Sequence, residues 1–139
     1  MNDQDEKTWF LPGKNAAEGR LVAPPSNRTA SLPMIEISAR TVVSIIRAFG
    51  LEKLALLKID VEGHEEKVLR GAEQTTNKFR SYFLIDLHTP KQDVLVANWL
   101  VHQRYHISRL FGPPIYRTDV GWPNPEGVWG SIFATPKKL

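Results

Sequence analysis

Apolar residues in the middle of the chain follow two periods, and each period predicts one type of element. Residues spaced at i, i+3, i+4 and i+7 lie on one face of a helix, and here they are Val42, Ile45, Ile46 and Phe49. Gly50 comes next, where a helix commonly ends. We therefore predict a helix over residues 41–49.

Two further segments are apolar on both faces, which is typical of buried strands in a parallel sheet. They are residues 54–60, where only Lys58 breaks the run, and residues 81–88. A helical pattern follows the first from His64, with Glu65 and Glu66 in the first turn, where the helix dipole favours acidic residues. The alternation of strands and helices predicts an α/β fold with a mostly parallel sheet and flanking helices.

The second strand is followed by a strong helix start. Thr89 can cap the helix, Pro90 suits its first position, and Gln92 completes a capping box. We predict that this helix runs over residues 90–103. The remaining pattern predicts strands over residues 105–110 and 128–134, separated by a turn at the sequence PNPEG, residues 123–127.

The first quarter of the chain lacks a sustained period and is rich in Pro, Ser and Asn near its end. We expect residues 1–33 to be poorly ordered, apart from a short strand over residues 8–11. The alternation of Ile35 and Ile37 with polar residues predicts another strand over residues 34–38. The expected division is thus a poorly ordered segment, residues 1–33, and a folded domain, residues 34–139.

Composition excludes several classes of function. The net charge of +3 comes from scattered Lys and Arg, so no nucleic-acid partner is expected. The absence of cysteine excludes disulfides, thiolate metal sites and a cysteine nucleophile. The first ten residues hold no apolar signal segment, and the run 94–101 is too short for a bilayer. We expect a cytoplasmic protein without a membrane partner.

Candidate chemistry lies where the two buried strands end, because open α/β sheets bind ligands outside the carboxyl ends of their strands. The polar residues at these ends are Asp60, Glu62, His64, Asp86 and His88. Asp60 or His88 could act as a base toward a hydroxyl group. Alternatively, Asp60 or Glu62 only caps the next helix, which is the commoner role of such carboxylates, and His64 faces solvent.

One long segment resembles a known family. The run LLKIDVEGHEEKVLRGAE, residues 56–73, resembles the motif of FkbM methyltransferases, in which a strand L-K-I-D-V-E-G enters a helix E-x-x-V-L-x-G-A. The run LIDLH resembles a later family strand, with Asp86 in place of the commoner Glu and His88 retained. Overall, the resemblance covers about residues 34–133, although Arg104 stands where the family usually has Gly.

The resemblance implies methyl transfer from S-adenosylmethionine to a hydroxyl group of a small-molecule or glycan acceptor. Asp60, Glu62 and His88 are the implied catalytic residues, and no residue is assigned to a metal. The family fold is Rossmann-like, and this chain corresponds to its C-terminal half. This chain has no G-x-G-x-x-G run, which would allow close backbone approach to the donor. We therefore expect a truncated relative that binds S-adenosylmethionine weakly, and we assign no cofactor-binding residues.

Two other functions are compatible with the sequence. Asp60, Glu62, His64 and His88 could hold a divalent metal in a hydrolase or nuclease, because oxygen and imidazole ligands suit several such metals. The chain could also be a noncatalytic module that completes a partner chain. In the complete family fold the strand over residues 54–60 lies beside the first strand, which has no evident counterpart here. Unless residues 34–38 or the N-terminal segment cover this edge, we expect self-association through it.

Overall fold

The computed structural model describes residues 5–13, 19–26, 32–110 and 130–138. Its strands are β1 (Glu6–Pro12), β2 (Gly19–Val22), β3 (Ile35–Ala39), β4 (Leu56–Ile59), β5 (Tyr82–Leu87), β6 (Tyr105–Arg109) and β7 (Gly130–Pro136). Its helices are α1 (Val42–Ala48), α2 (Glu65–Arg70), α3 (Glu73–Phe79) and α4 (Pro90–His102). No helix in these ranges is long and apolar enough to cross a membrane.

The four-stranded sheet has the order β4-β5-β7-β6 and is mixed. Strands β4 and β5 pair in parallel, whereas β7 is antiparallel to both of its neighbours, β5 and β6. The prediction of an α/β fold is confirmed, but the mostly parallel, Rossmann-like sheet is not. The reason is that the last strand inserts between β5 and β6 in the reverse direction, and a strand's sequence does not encode its direction.

The N-terminal segment forms a second sheet, with the order β2-β1-β3 and antiparallel pairing throughout. The expected strand over residues 8–11 is confirmed as part of β1, but the described parts of residues 1–33 also contain β2. The strand predicted over residues 34–38 is confirmed as β3, and it pairs with β1. Asp5 links this segment to α1, because its carboxylate accepts hydrogen bonds from the Thr41 N–H (2.6 Å) and the Ser44 hydroxyl (2.8 Å).

The core lies between the four-stranded sheet and helices α2 and α4. In β5 the buried residues alternate with more exposed ones, so one face of the strand lies against the helices. The main core residues of these elements are Val68, Leu69, Phe83, Ile85, Leu87, Val96, Leu100, Ile132 and Ala134. This packing fixes where β4 and β5 end relative to the start of α2.

The predicted helices and strands from residue 41 onward are confirmed, with ends that differ by a few residues. Thr89 caps α4 as predicted, and Thr41, which was expected to be the first residue of its helix, caps α1. Each accepts a hydrogen bond from a backbone N–H three residues later. The capping box at α4 is incomplete, because the Gln92 side chain accepts from the N–H of Glu66 in α2 instead (2.9 Å). Helix α3 was not predicted, and the predicted turn at residues 123–127 lies outside the described residues.

Candidate active site

Asp60 and His88 meet at one edge of the sheet because the strands before them pair in parallel. Ile59 at the end of β4 is opposite Ile85 of β5, so the two strands end at the same edge of the sheet. His88 Nε2 lies 3.3 Å from Asp60 Oδ1. The two strand ends that were predicted to carry the candidate residues are therefore adjacent, and Asp60 and His88 lie together there.

A tight turn brings Glu62 to the same point. The His64 N–H donates to the Val61 carbonyl (3.3 Å), and the two central residues have positive φ, 49° at Glu62 and 91° at Gly63. Positive φ at both positions is the pattern of a type I′ turn. Gly63 adopts it freely, while the left-handed conformation at Glu62 costs about 1–2 kcal/mol. The turn places Glu62 Oε1 3.6 Å from His88 Nε2.

Glu65 lies behind His88 and is completely buried, with 0% of its surface exposed. Its Oε1 atom is 2.5 Å from His88 Nδ1 and also accepts from the Gly63 N–H at 3.0 Å. A carboxylate only accepts, so Nδ1 carries the proton of this hydrogen bond and Nε2 points toward Asp60 and Glu62. A buried carboxylate that orients a histidine ring in this way is a familiar element of catalytic sites.

Glu65 was not predicted to belong to the site, since a first-turn acid also suits the helix dipole. The feature of the sequence that distinguishes Glu65 is its place in the E-x-x-V-L motif of the family. The sequence does not reveal its burial, which depends on the packing of α2 against α4 and β5.

Asp86, Lys58 and Ser131 form a second polar cluster next to Asp60. The Asp86 carboxylate in β5 accepts hydrogen bonds from the Lys58 ammonium and the Ser131 hydroxyl. Partial burial acts to raise the pKa of Asp86, but these two hydrogen bonds outweigh it and lower the pKa below its usual value. Lys58 Nζ also lies 3.5 Å from Asp60 Oδ2. Ser131 was not predicted, because its place depends on the insertion of β7 beside β5.

These side chains surround an open cavity of about 330 Å³. This volume is at the lower end of the range of small-ligand sites. The lining residues are Asp60, Glu62, Asp86, Leu87, His88, Gly130 and Ser131. His88 presents only its inner edge, since 9% of its side chain is exposed, whereas Asp60 is 53% exposed. The arrangement suits a polar ligand that approaches the imidazole between the two carboxylates.

The structure also tests the other roles considered for these residues. Helix α2 begins after His64 and has no side-chain cap, so neither Asp60 nor Glu62 caps it. His64 lies away from the cluster, in a groove beside β1 and β2. It is half-buried, and this burial lowers its pKa. The structure therefore brings Asp60, Glu62 and His88 together and leaves His64 out.

Comparison with known proteins identifies a family for this arrangement. The family model described as the methyltransferase FkbM domain matches residues 9–107, which is more than two thirds of the chain. The match includes Asp60, Glu62, Glu65 and His88 and ends before Ser131. It begins earlier than the resemblance seen in the sequence and stops before β7. No curated protein and no solved structure matches the chain significantly.

Proposed function

Since this chain belongs to the FkbM methyltransferase family, we propose that it carries the acceptor side of a methyl transfer from S-adenosylmethionine to a hydroxyl oxygen. The observation that supports this most is the cluster of Asp60, Glu62 and His88 around a cavity at the carboxyl edge of two parallel strands. This edge is where open α/β sheets bind their ligands.

The acceptor hydroxyl must lose its proton as its oxygen takes the methyl group. Asp60 and His88 line the cavity and are the groups that can accept this proton. Glu65 supports either role, because its hydrogen bond fixes the ring of His88 with Nε2 facing the cavity. Asp86, which is held by Lys58, and Ser131 also line the cavity and can bind further hydroxyl groups of a small-molecule or glycan acceptor.

The described residues do not fit the methyl donor. Rossmann-type folds hold such a ligand where a strand enters a glycine-rich turn and then a helix, because only glycine allows close backbone approach. Within the described ranges, the strands before β4 pair antiparallel and are not followed by such a turn. We therefore attribute no donor contact to these residues and propose that donor binding depends on residues beyond them.

The two alternative functions receive less support. For a metal-dependent hydrolase or nuclease, the structure brings Asp60, Glu62 and His88 together without His64, and nothing beyond this ligand set supports hydrolysis. A noncatalytic module would have no use for a buried carboxylate that orients a histidine at a cavity. The family match favours methyl transfer over both.

A transfer assay with radiolabelled S-adenosylmethionine at millimolar concentration tests the proposal, because a high concentration compensates for weak donor binding. The acceptors are a set of hydroxylated small molecules and oligosaccharides. We expect label in at least one compound, and a fall of about 100-fold or more in Asp60→Asn and His88→Gln, as for loss of a general base. Glu52→Gln changes an exposed acid away from the cavity and serves as the matched control.

Calorimetry with S-adenosylmethionine completes the test. We expect weak or undetectable binding to the chain alone, and saturable binding in the low micromolar range would show that the donor site is present after all. Unlabelled acceptors throughout the set, or equal transfer by the wild type and His88→Gln, would reject the proposed acceptor site.

A further inference from the structure

We infer that Asp60, Glu62 and His88 form a binding site for one divalent cation of the Mn²⁺ or Zn²⁺ type. The three residues offer Oδ1, Oε1 and Nε2, and these atoms all lie within 4.8 Å of one another. The cation binding does not depend on the proposed methyl transfer, since it can be measured without donor or acceptor.

The distances suit a shared metal ion. Nε2 is 3.3 Å from Oδ1 of Asp60 and 3.6 Å from Oε1 of Glu62. Ligands at about 2.1 Å from a tetrahedral metal are separated by about 3.4 Å, which lies between these two values. Nε2 already has this spacing from both oxygens, and the exposed Asp60 and Glu62 side chains can bring their own oxygens, which lie within 4.8 Å of each other, around one ion. The exposed side of the cavity leaves room for water or an acceptor oxygen.

Glu65 provides a second and independent argument. It is fully buried, does not line the cavity, and accepts the hydrogen bond from Nδ1 of His88. With Nδ1 directed at Glu65, Nε2 is directed at the carboxylate oxygens of Asp60 and Glu62, which is the orientation that a shared cation needs. A carboxylate behind a metal-bound histidine is the usual second partner of such ligands, and it sets the tautomer that binds the ion.

The charge balance points the same way. Asp60, Glu62, Glu65 and Asp86 place four carboxylates around the cavity and its rear wall, and Lys58 is the cation that contacts two of them. Lys58 contacts Oδ2 of Asp60, so Oδ1 keeps its direction toward His88. One imidazole with two carboxylates is a mixed ligand set that suits Mn²⁺ or Zn²⁺ better than an all-oxygen set would.

The role of the cation rests on the proposed function. A hydroxyl bound to the metal loses its proton more readily than a free hydroxyl. With the cation bound, Asp60 and His88 act as its ligands and not as the base. The O–H bond breaks, the proton passes to solvent or to the other oxygen of Glu62, and the electron pair stays on the acceptor oxygen. The cation would therefore both position the acceptor and make its oxygen nucleophilic.

Isothermal titration of the EDTA-treated protein with MnCl₂, and separately with ZnCl₂, tests the site. We expect one saturable site per chain. Asp60→Asn and His88→Gln should each weaken binding at least 10-fold, and Glu65→Gln should weaken it about 10-fold through the orientation of His88. Glu52→Gln should bind like the wild type. Circular dichroism of each variant separates loss of the site from loss of the fold.

Several results would overturn the cation site. These are no saturable binding of either metal to the wild type, or equal binding by folded Asp60→Asn and His88→Gln variants. Full methyl transfer after EDTA treatment would reject the role of the cation while leaving the proposed methyl transfer intact. Conversely, tight metal binding without any transfer would leave the cation site and reject the proposed methyl transfer.

Discussion

Asp93 shows how strongly burial acts on single residues near the site. It lies in the first turn of α4 with 1% of its surface exposed, and neither carboxyl oxygen has a hydrogen-bond partner among the described residues. Burial raises the pKa of Asp93 to about 7, against the charge of Arg109, and the Glu65 carboxylate adds to the rise. Near neutral pH this side chain is therefore partly protonated in the folded protein.

This raised pKa predicts how stability depends on pH. Between about pH 4 and pH 7 the unfolded chain ionises Asp93 while the folded protein keeps the proton, so the free energy of unfolding falls as pH rises. Asp93→Asn removes the titrating carboxyl and therefore this fall in the free energy of unfolding. We expect the variant to match the wild type near pH 4 and to be more stable at pH 8 by about 2 to 4 kcal/mol, at about 1.4 kcal/mol per pKa unit.

Urea unfolding of both proteins at the two pH values measures the effect. Glu52→Gln, a change at an exposed acid, should not alter the pH dependence. A difference between Asp93→Asn and the wild type that stays the same at both pH values would contradict the raised pKa.

The sequence predicted individual site residues only where backbone geometry alone determines their place. Asp60 and His88 follow two strands, and parallel pairing was enough to bring them together. Glu65 and Ser131 reach the site through the packing of α2 and the insertion of β7, which depend on distant parts of the chain. Their roles could not be read from local pattern, although Glu65 belongs to the family motif.

The start of α4 is connected to α2, and the contribution of its cap to stability can be tested by mutation. Thr89 caps α4 by accepting from the Gln92 N–H at 3.1 Å, and the Gln92 side chain accepts from the Glu66 N–H in α2. Loss of the cap should therefore weaken α4 and loosen its contact with α2, next to Glu65.

We expect Thr89→Ala to lower the free energy of unfolding by about 1 kcal/mol, the typical cost of a lost N-cap. Thr89→Ser keeps the hydroxyl and should stay within a few tenths of a kcal/mol of the wild type. Urea unfolding of the three proteins measures this, and an equal loss in both variants would show that the hydroxyl does not act as a cap.

Elements with clear periodicity were predicted well, and those without it were not. The apolar spacing of α1 and the cap of α4 predicted the positions of these helices from local sequence. Helix α3 has the sequence EQTTNKF, whose buried residues are Thr75 and Thr76, so no apolar face marks it as a helix. Strand β2 is only four residues long and depends on pairing with β1.

At the scale of the whole molecule, the sequence predicted the class of fold and not its topology. Alternating strand and helix patterns indicated an α/β protein, and the parallel pair β4 and β5 supports that reasoning. The position of β7 between β5 and β6 follows from long-range contacts that leave no local signal. The same holds for the separate antiparallel sheet formed by β1, β2 and β3.

The open edge of the four-stranded sheet predicts self-association. Strand β4 pairs with β5 on one side, and no strand in the described ranges pairs with its other side. Leu56 of β4 is 49% exposed at this edge, next to Tyr82, which stacks on Phe133 with ring centres 5.8 Å apart. An apolar strand with unpaired backbone groups invites pairing with another chain, whereas an added charge opposes it. The charge of Lys58 in β4 is balanced by its contacts with Asp60 and Asp86. We therefore expect sedimentation velocity to show concentration-dependent dimers or larger species for the wild type.

Leu56→Lys should shift this equilibrium to the monomer, because it places a charge at the unpaired edge. Val94→Lys provides the matched control, since Val94 is similarly exposed, at 40%, but lies on α4. The control should associate like the wild type. A monomeric wild type at high concentration would show that the edge is covered, and equal association by Leu56→Lys would show that the contact lies elsewhere on the molecule.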